Sequence, residues 1–281
     1  MITIKNDILT AVIDTHGAQL ASLKKDGREI LWDGNPEWWE DTAPVLFPIC
    51  SNLKNGSYKF GGKEYAMSSH GFAKQIDFIV KSISEDEVCL TTSSNEDTLS
   101  VYPFDFEFSV LFKLENNKLV TKYITTNTSD EDMYYSVGAH EGYACPEGVE
   151  NYDVVFNKEE KFDACILEGP ILSYEKEKLL PDGKVISLKP DYFTVDAIIL
   201  EHINSDEISL VNKTTGYEIK VEIADFENLL IWSIPGAPFV CLEPWCGFPD
   251  FIDTDGDFTK KHSIIKLAPK TTDIKTHIIN L

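Results

Sequence analysis

Apolar and polar residues alternate with a period of two over much of this chain. From Phe106 to Leu114 every second residue is apolar, and a second long run, Lys118–Asn127, follows after the connection Glu115-Asn116-Asn117. Such alternation is typical of strands that bury one face, and a short polar connection between two of them is typical of a hairpin. These segments therefore predict a pair of long antiparallel strands.

The same pattern recurs along the whole sequence in shorter segments that are separated by turn residues. Gly-Gly and Pro-Gly-Ala connections join two of the predicted strand pairs. The further predicted strands are Ile2–Lys5, Leu9–Asp14, Gly17–Leu23, Glu29–Trp32, Ser57–Phe60, Lys63–Met67, Asp77–Ser82, Glu87–Ser93, Tyr134–Val137, Tyr152–Phe156, Glu207–Asn212, Glu218–Ile223, Leu229–Ile234, Pro238–Leu242, Ile264–Leu267 and Asp273–Ile279.

The sequence predicts almost no helices and no interdomain linker. No segment carries a sustained 3.6-residue apolar stripe with capping residues, so helical structure is expected only as short turns near Asn35–Glu40. The charged stretch Lys158–Lys161 is predicted to be a solvated loop. No stretch rich in proline, serine or glycine divides the chain. The sequence therefore predicts an all-β fold, arranged as one large sandwich in a single domain over residues 1–281.

The amino-acid composition disfavours nucleic acids and membranes as partners of this protein. Of the 281 residues, 43% are hydrophobic and 26% are charged, which argues against disorder. The formal net charge is −22, and a surface with this excess of carboxylates repels phosphate backbones and anionic lipid surfaces. Arg28 is the only arginine, so a bidentate guanidinium clamp for a phosphate is disfavoured. We expect neither a nucleic-acid partner nor a membrane partner.

The N-terminus and the cysteines indicate a cytoplasmic protein. The first residues lack the cationic start and the apolar block of a signal peptide, and no window approaches about 18 consecutive apolar residues. No two cysteines form a CxxC pair, so we expect free thiols that are buried or half-buried. The cysteines are Cys50, Cys89, Cys145, Cys165, Cys241 and Cys246.

Two histidines have small neighbours. His70 lies in the sequence Ser-Ser-His-Gly-Phe and His140 in Gly-Ala-His-Glu-Gly, and small residues let a ligand approach the backbone closely. Taken alone, each of them could equally be a structural residue at a strand end. The other histidines lie in polar or strand-edge contexts and are expected to be structural: His16, His202, His262 and His277.

One glutamate, Glu243, stands between an apolar run and a Pro-Trp pair in the segment PFVCLEPWCGFPD. Burying a carboxylate is costly unless it has a partner or a function. On its own, Glu243 could be an edge-strand carboxylate that caps the following turn. Trp245 could be plain core or an apolar platform for the C–H face of a sugar ring, and Trp38 and Trp39 allow the same two interpretations.

Glu243, His140 and His70 make a coherent set for proton transfer. An aromatic wall can change the proton affinity of a glutamate, and histidine titrates near neutrality. A carboxylate base and an imidazole acid can take one proton from a neutral substrate and return another, and each group typically contributes about 10² to 10⁴ in rate.

Three segments resemble, in family order, the aldose 1-epimerase (galactose mutarotase) family, and in particular its compact bacterial branch. They are APVLFPICSNLKNGSYKFGGKEYAMSSHGFAKQIDF, YSVGAHEGY and PFVCLEPWCGFPD. The combination of LFPI…HGF with LEPW is fairly specific. The resemblance implies a β-supersandwich of two large antiparallel sheets with a sugar cleft on one face. It also implies an enzyme that interconverts the α- and β-anomers of a free aldose, such as galactose or glucose, with no cofactor and no metal.

The resemblance also implies roles for individual residues. Glu243 matches the catalytic base that removes the proton of the anomeric hydroxyl, and His140 matches the general acid that protonates the ring oxygen. His70 matches the second histidine, which holds or polarises that oxygen. Asp196 resembles a family position that binds sugar hydroxyls, and Trp245 is expected to contact the sugar.

Two positions depart from the family pattern. Asn52 stands where many members carry an arginine, so it can donate to a sugar hydroxyl only without charge. Glu141 follows His140 where the family often has proline. A carboxylate that approached His140 closely would favour the imidazolium form.

Three alternatives stay open on the sequence alone. The first is a carbohydrate-binding protein that keeps the cleft without the chemistry. The second is a hexose-6-phosphate epimerase, against which the single arginine counts. The third is a metal enzyme in which His70, His140 and Glu243 form a site of two histidines and one carboxylate, although no HxH or HExxH spacing is present. The sequence determines neither the sugar nor the oligomeric state.

Overall fold

Antiparallel pairing accounts for all of the sheet structure. The structure, a computed structural model, describes residues 1–281, and every pair of neighbouring strands runs antiparallel. The strands are β1 (Ile2–Lys5), β2 (Leu9–Ile13), β3 (Leu20–Lys25), β4 (Arg28–Glu29), β5 (Ser57–Phe60), β6 (Lys63–Ala66), β7 (Ile79–Ile83), β8 (Glu87–Ser93), β9 (Phe106–Glu115), β10 (Lys118–Asn127), β11 (Met133–Tyr135), β12 (Glu141–Ala144), β13 (Tyr152–Glu160), β14 (Asp163–Glu168), β15 (Ile171–Lys178), β16 (Gly183–Ser187), β17 (Ile198–Leu200), β18 (Glu207–Asn212), β19 (Glu218–Glu222), β20 (Asn228–Trp232), β21 (Phe239–Trp245), β22 (Ile265–Leu267) and β23 (Thr272–Asn280).

Helical structure is limited to short segments. There is one α-helix, α1 (Glu96–Val101), which Asn95 caps by accepting the backbone N–H of Thr98 at 3.0 Å. The helical segments include none that is long and apolar enough to cross a lipid bilayer. The 3₁₀ turns are Lys54–Gly56, Ala73–Gln75, Val149–Asn151, Pro190–Phe193 and Phe258–Lys260.

The largest sheet has nine strands in the order β16-β13-β18-β19-β23-β10-β9-β8-β7. The hairpin predicted from alternation, β9 with β10, lies inside it, and Val110 pairs with Tyr123 across the two strands. The alternate apolar residues of β9 face the core, where Phe108 and Val110 are completely buried. Full burial of one such side chain stabilises the fold by about 1.5–3 kcal/mol, so this hairpin is a main source of the sheet's stability.

A four-stranded sheet, in the order β12-β21-β20-β17, packs over the larger sheet and carries the cleft. Every residue of β21 is buried. Leu242 of this strand belongs to the same hydrophobic cluster as Phe108 and Ile279 of the nine-stranded sheet. Residues alternate between the two faces of a strand, so the neighbours of Leu242 face away from that core, and one of them, Glu243, lines the cleft.

The remaining strands form one more four-stranded sheet, β1-β2-β3-β4, and three two-stranded sheets, β5-β6, β11-β22 and β14-β15. The largest hydrophobic cluster extends along the chain from Ile4 to Ile279. The all-β galactose mutarotase-like fold predicted from the sequence is confirmed, although several smaller sheets stand where a second large one was expected.

Some local predictions need correction. β13 runs into the predicted loop Lys158–Lys161, and Glu160 is buried there because its carboxylate accepts the backbone N–H of Ser205 at 2.7 Å. The strands β12, β14, β15, β16 and β17 and the helix α1 were not predicted. In the second half of β15 every residue is exposed, so no alternation marks it. The turn expected near Asn35–Glu40 is present, since the N–H groups of Trp38 and Trp39 both donate to the carbonyl of Asn35.

Candidate active site

One cleft gathers all the residues that the sequence analysis assigned to sugar chemistry. Its volume is about 650 Å³, and residues of β17, β20 and β21 form its floor. These assigned residues come from four distant parts of the chain, so the fold is what brings them together. They are Asn52, His70, His140, Asp196, Glu243 and Trp245.

Glu243 lies on an interior strand of the sheet. β21 continues through Glu243 to Trp245, beyond the predicted end at Leu242, and Glu243 pairs with Leu230 of β20. The interpretation of Glu243 as an edge-strand cap is therefore wrong. Its side chain is 2% exposed. Burial raises the pKa of the Glu243 carboxyl well above its usual range, and the negative charges of Asp196 and Glu141 raise it further.

His140 directly precedes β12, the neighbour of β21. This register places its ring on the cleft face beside Glu243, with Nε2 of His140 3.3 Å from Oε2 of the glutamate. Trp39 stacks on the imidazole at a centroid distance of 5.1 Å, and Trp232 meets it edge-on at 5.9 Å. Burial lowers the pKa of His140 well below its usual range, and so do the neighbouring His70 and Lys74.

His70 is held as a neutral hydrogen-bond donor. The backbone N–H of Ser51 donates to Nδ1 of His70 at 3.1 Å, and the N–H of His70 donates to the carbonyl of Ser51 at 2.9 Å. Burial, with the charge of Lys74, lowers the pKa of His70 to about 4, so the ring is neutral at pH 7. Because Nδ1 accepts a hydrogen bond, the ring proton resides on Nε2.

The glycines near these histidines make room for protein groups, which differs from the expectation that they admit a ligand. A Cβ at Gly71, which has a φ of 75°, would lie 2.2 Å from the carbonyl oxygen of Phe47. A Cβ at Gly138 would lie 2.5 Å from the indole of Trp245. These glycines therefore fix the loop of His70 and the indole of Trp245 in place.

Aromatic side chains line the cleft on two sides. Trp245 is 2% exposed, and its Nε1–H donates to the carbonyl of Ala139 at 3.0 Å. Its indole meets His70 edge-on at 5.5 Å. Trp39 and Trp232 also line the cleft and are only half-buried, so they offer more ring surface to a ligand than Trp245 does.

Asn52 and Asp196 leave polar atoms free for a ligand. The Asn52 amide makes one weak contact, at 3.5 Å from Oγ of Ser51. Asp196 is exposed just before β17, where one carboxylate oxygen accepts the N–H of Ala197 at 2.8 Å. Both side chains line the cleft.

Several cleft residues were not predicted. Lys74 lies four residues after His70 and forms an ion pair with Asp41 at 3.1 Å, and both line the cleft. Trp232 and Ser233 approach from the end of β20. The helical turn Ala73–Gln75 directs Lys74 toward the cleft, and the sequence carries no motif that marks this pairing.

Glu141 does not contact His140. It pairs with Leu242 across β12 and β21, so it faces the core between the sheets. There its Oε1 lies 2.9 Å from Nε2 of His277, and both side chains are buried. The close approach of Glu141 to His140 that would favour the imidazolium form does not occur, because neighbouring residues on a strand point to opposite faces.

The compact group of potential metal ligands in the cleft is His140, Cys241 and Glu243, whose ligand atoms lie within 4.8 Å of one another. It does not include His70, which the sequence-based alternative had required. Burial raises the pKa of the Cys241 thiol well above its usual range. The ligand atoms of His70, His140 and Glu243 do not all lie within that distance of one another, so the site of two histidines and one carboxylate is not assembled.

A second cluster, Glu201 with His202 and His262, lies at the end of β17 beside a separate cavity of about 320 Å³. Nε2 of His262 is 2.7 Å from Glu201, and Nζ of Lys176 is also 2.7 Å from the same carboxylate. The ammonium group of Lys176 would face any cation held there. We therefore interpret the cluster as an ion-pair network.

All six cysteines are free and buried. Burial raises the pKa of four of these thiols, those of Cys50, Cys145, Cys241 and Cys246. The expectation of buried free thiols is confirmed.

Comparisons with known proteins agree with this architecture. The sequence profile of the aldose 1-epimerase family matches residues 1–269. The plasmid form of Protein LacX from Lactococcus lactis subsp. lactis is 31% identical over 298 residues, which cover 100% of this chain and 99% of the relative.

Solved structures give the same result. A galactose mutarotase related enzyme from Lactobacillus acidophilus superposes with a TM-score of 0.92 at 32% identity, over 99% of this chain and 96% of that one. A galactose mutarotase-like protein from Lactobacillus casei gives a TM-score of 0.92 at 29% identity, over 100% and 99%. Profile, relative and structures together show that the chain belongs to the aldose 1-epimerase family.

Proposed function

We propose that this protein interconverts the α- and β-anomers of a free aldose, a hexose such as galactose or glucose, by acid–base opening and closing of the ring. The observation that carries the proposal is the pair His140 and Glu243, whose Nε2 and Oε2 atoms lie 3.3 Å apart on the floor of the cleft. Family membership supports the reaction class.

In the proposed reaction, Glu243 takes the proton of the anomeric hydroxyl while His140 gives a proton to the ring oxygen. The C1–O5 bond breaks and leaves an open-chain aldehyde. Rotation about C1–C2 presents the other face of the carbonyl, and ring closure returns both protons to their starting groups. The cycle conserves protons and electrons, so the proposal requires no cofactor and no metal.

The environment of the pair supports this exchange of protons. Burial raises the pKa of Glu243 and lowers that of His140, so burial alone favours the neutral form of both groups. The ionised base and the protonated acid that the reaction uses stabilise each other across the 3.3 Å between them. Acid–base catalysis is most efficient when the groups have proton affinities near the operating pH. Trp39 and Trp232 pack on the imidazole and keep water away from its ring.

His70 would position the reacting end of the sugar. As a neutral ring that carries its proton on Nε2, it can donate to the ring oxygen or to a neighbouring hydroxyl. Its centroid lies 5.6 Å from that of His140, so both rings can face one substrate. We assign Asn52 and Asp196 to sugar hydroxyls, and Trp39 with Trp245 to the apolar face of the ring.

A hexose-6-phosphate is a less suitable substrate. Lys74 is the one cationic side chain that lines the cleft, and Asp41 already neutralises it. A phosphate would also meet the carboxylates of Asp196 and Glu243. Charge in the cleft therefore favours a neutral sugar.

The test is polarimetry on freshly dissolved α-glucose and α-galactose, together with other aldoses, at catalytic protein concentration. Faster approach to the anomeric equilibrium than in buffer supports the proposal, and the ranking of rates identifies the sugar class. Folded protein that accelerates no free aldose contradicts it. Saturable sugar binding without acceleration would instead support a carbohydrate-binding protein.

A further inference from the structure

Glu141 and His277 form a buried contact on the far side of the sheet from the cleft. Glu141 follows His140 directly, and its Oε1 lies 2.9 Å from Nε2 of His277 on β23. These atoms are close, yet Nε2 of His277 makes no hydrogen bond. The pair joins the sheet that carries the cleft to the nine-stranded sheet.

The surroundings of this pair are polar but poor in partners. Oε2 of Glu141, Nδ1 of His277 and the hydroxyl of Tyr143 are buried and have no hydrogen-bond partner in the protein. The same is true of Oγ1 of Thr121, which pairs with His277 across β10 and β23. Tyr123 stacks on the imidazole at 5.7 Å.

Such an arrangement lowers the stability of the fold. Unpaired buried polar atoms are uncommon in native proteins, and apolar residues of similar volume often replace a buried ion pair with no loss of stability. Stability therefore does not explain why the two groups are placed between the sheets.

The position of Glu141 relative to the cleft offers an explanation. Its backbone adjoins that of His140, and its cross-strand partner Leu242 adjoins Glu243. Any shift of β12 would therefore move His140 relative to Glu243. The carboxylate of Glu141 also lies near enough for its charge to raise the pKa of Glu243.

Few other charged groups lie near the side chains of Glu141 and Glu243. The titratable groups near Glu141 are His277, Tyr123 and Tyr143. Cys241 is also within range of its charge, from the opposite face of β21. Burial raises the pKa of both phenols and of the thiol well above their usual ranges, so these three are neutral. Glu243 itself faces His140, Cys241, Asp196 and, across the cleft, the ammonium group of Lys74.

We propose that Glu141 and His277 are positioning residues for the epimerase chemistry: their contact fixes β12 on β23 so that His140 faces Glu243, and Glu141 keeps a negative charge behind the base. The inference rests on the proposed function. It assigns a role to one residue that departs from the family pattern and to one that the sequence had placed among structural histidines.

The first test is Glu141→Gln, which keeps the side-chain shape and removes the charge. Without that charge Glu243 binds its proton less tightly, so the alkaline limb of the kcat profile moves to lower pH while KM stays unchanged. Thr125→Val, which removes another buried unpartnered hydroxyl, is the control and leaves the profile in place. A Glu141→Gln profile that coincides with that of the parent protein overturns the charge role.

The second test separates positioning from stability. His277→Leu leaves the carboxylate unpaired and lowers the melting temperature, whereas Glu141→Leu with His277→Leu replaces the pair by apolar side chains and restores the melting temperature. We expect kcat of the double variant to stay about tenfold to a hundredfold below that of the parent, the loss that a displacement of about 1 Å can cause. Recovery of kcat together with stability would mean that the pair is merely structural.

A readout without turnover keeps this inference distinct from the proposed function. The NMR signal of the His140 ring, assigned by its loss in His140→Asn, is followed against pH in the parent and in Glu141→Gln. A displaced titration supports the coupling even if no aldose is turned over, and superimposed curves overturn it. Failure of the parent in polarimetry alone contradicts the epimerase assignment.

Discussion

Nε2 of His140 lies 3.3 Å from Oε2 of Glu243, yet neither group is tied to the other by a well-aligned hydrogen bond. The two face one cavity, Glu243 from β21 and His140 from the residue that directly precedes the adjacent strand β12. A sugar that enters the cleft can therefore offer its anomeric hydroxyl to one group and its ring oxygen to the other. The register of two strands thus determines the geometry of the proposed proton exchange.

Glu243→Gln should abolish turnover and leave the fold intact. Glutamine has nearly the same shape as glutamate but cannot accept the proton of the anomeric hydroxyl. We expect a loss in kcat of about 10² to 10⁴-fold, measured by polarimetry, with an unchanged circular dichroism spectrum. Glu131→Gln, at an exposed position in a turn, is the matched control, and equal activity of the two variants would refute the base assignment.

The two cleft histidines should differ in their effect. His140→Asn removes the group that gives a proton to the ring oxygen, so kcat should fall by about 10² to 10⁴-fold. His70→Asn removes a neutral donor and should cost less in kcat and more in KM. His16→Asn, an exposed histidine that contacts Asp77 at 2.8 Å, should behave like the parent. If both cleft variants also do so, the chemistry takes place elsewhere.

The pH profile should be a broad bell, because the His140–Glu243 pair works with one shared proton. A second proton inactivates the pair at low pH, and burial lowers the pKa of His140, so the acid limb should lie below the ordinary imidazole value of 6.5. Loss of the shared proton inactivates it at high pH. Burial raises the pKa of Glu243, so that limb should lie above the ordinary carboxyl value of 4.5.

Rates of kcat against pH, corrected for the acid- and base-catalysed reaction in buffer, check this shape. Circular dichroism at each pH confirms that the protein stays folded. An acid limb at or above pH 6.5 would contradict the assignment of the buried imidazole.

The sequence predicted the central residues of the site and part of its lining, but not Lys74, Asp41 or Trp232. Glu243, His140 and His70 lie in short segments whose composition is unusual in itself. Lys74 meets Asp41 only because a 3₁₀ turn and a distant loop converge, and a linear pattern does not encode such a contact. The direction of Glu141 depends on the register of β12, which a one-residue shift would reverse.

Among the strands, too, some could be predicted from the sequence and others could not. β9 was predicted because one of its faces is buried and the other is not, so its residues alternate. β15 was missed because its second half is exposed on both faces, which leaves charged residues without a period. Alternation therefore reports packing on a core and not strand structure as such.

Lys261 should be important for stability, because its ammonium group is buried. Nζ of Lys261 donates to Asp250 at 2.7 Å and to the carbonyl of Phe248 at 2.7 Å, and the side chains of the ion pair are 3% and 5% exposed. The backbone N–H of Asp250 in turn donates to the carbonyl of Asn52 at 3.0 Å. The pair therefore anchors the segment after β21 to the loop that carries a proposed sugar contact.

Lys261→Met should lower the free energy of unfolding by about 3–5 kcal/mol, since it leaves the Asp250 carboxylate buried without its charged partner. Adding Asp250→Asn should recover part of that loss by removing the unpaired charge. Lys260→Met, next to it on the chain but 68% exposed, is the control and should cost no more than about 1 kcal/mol. Urea denaturation measures all three, and equal losses at Lys260 and Lys261 would show that the buried pair contributes nothing beyond a surface one.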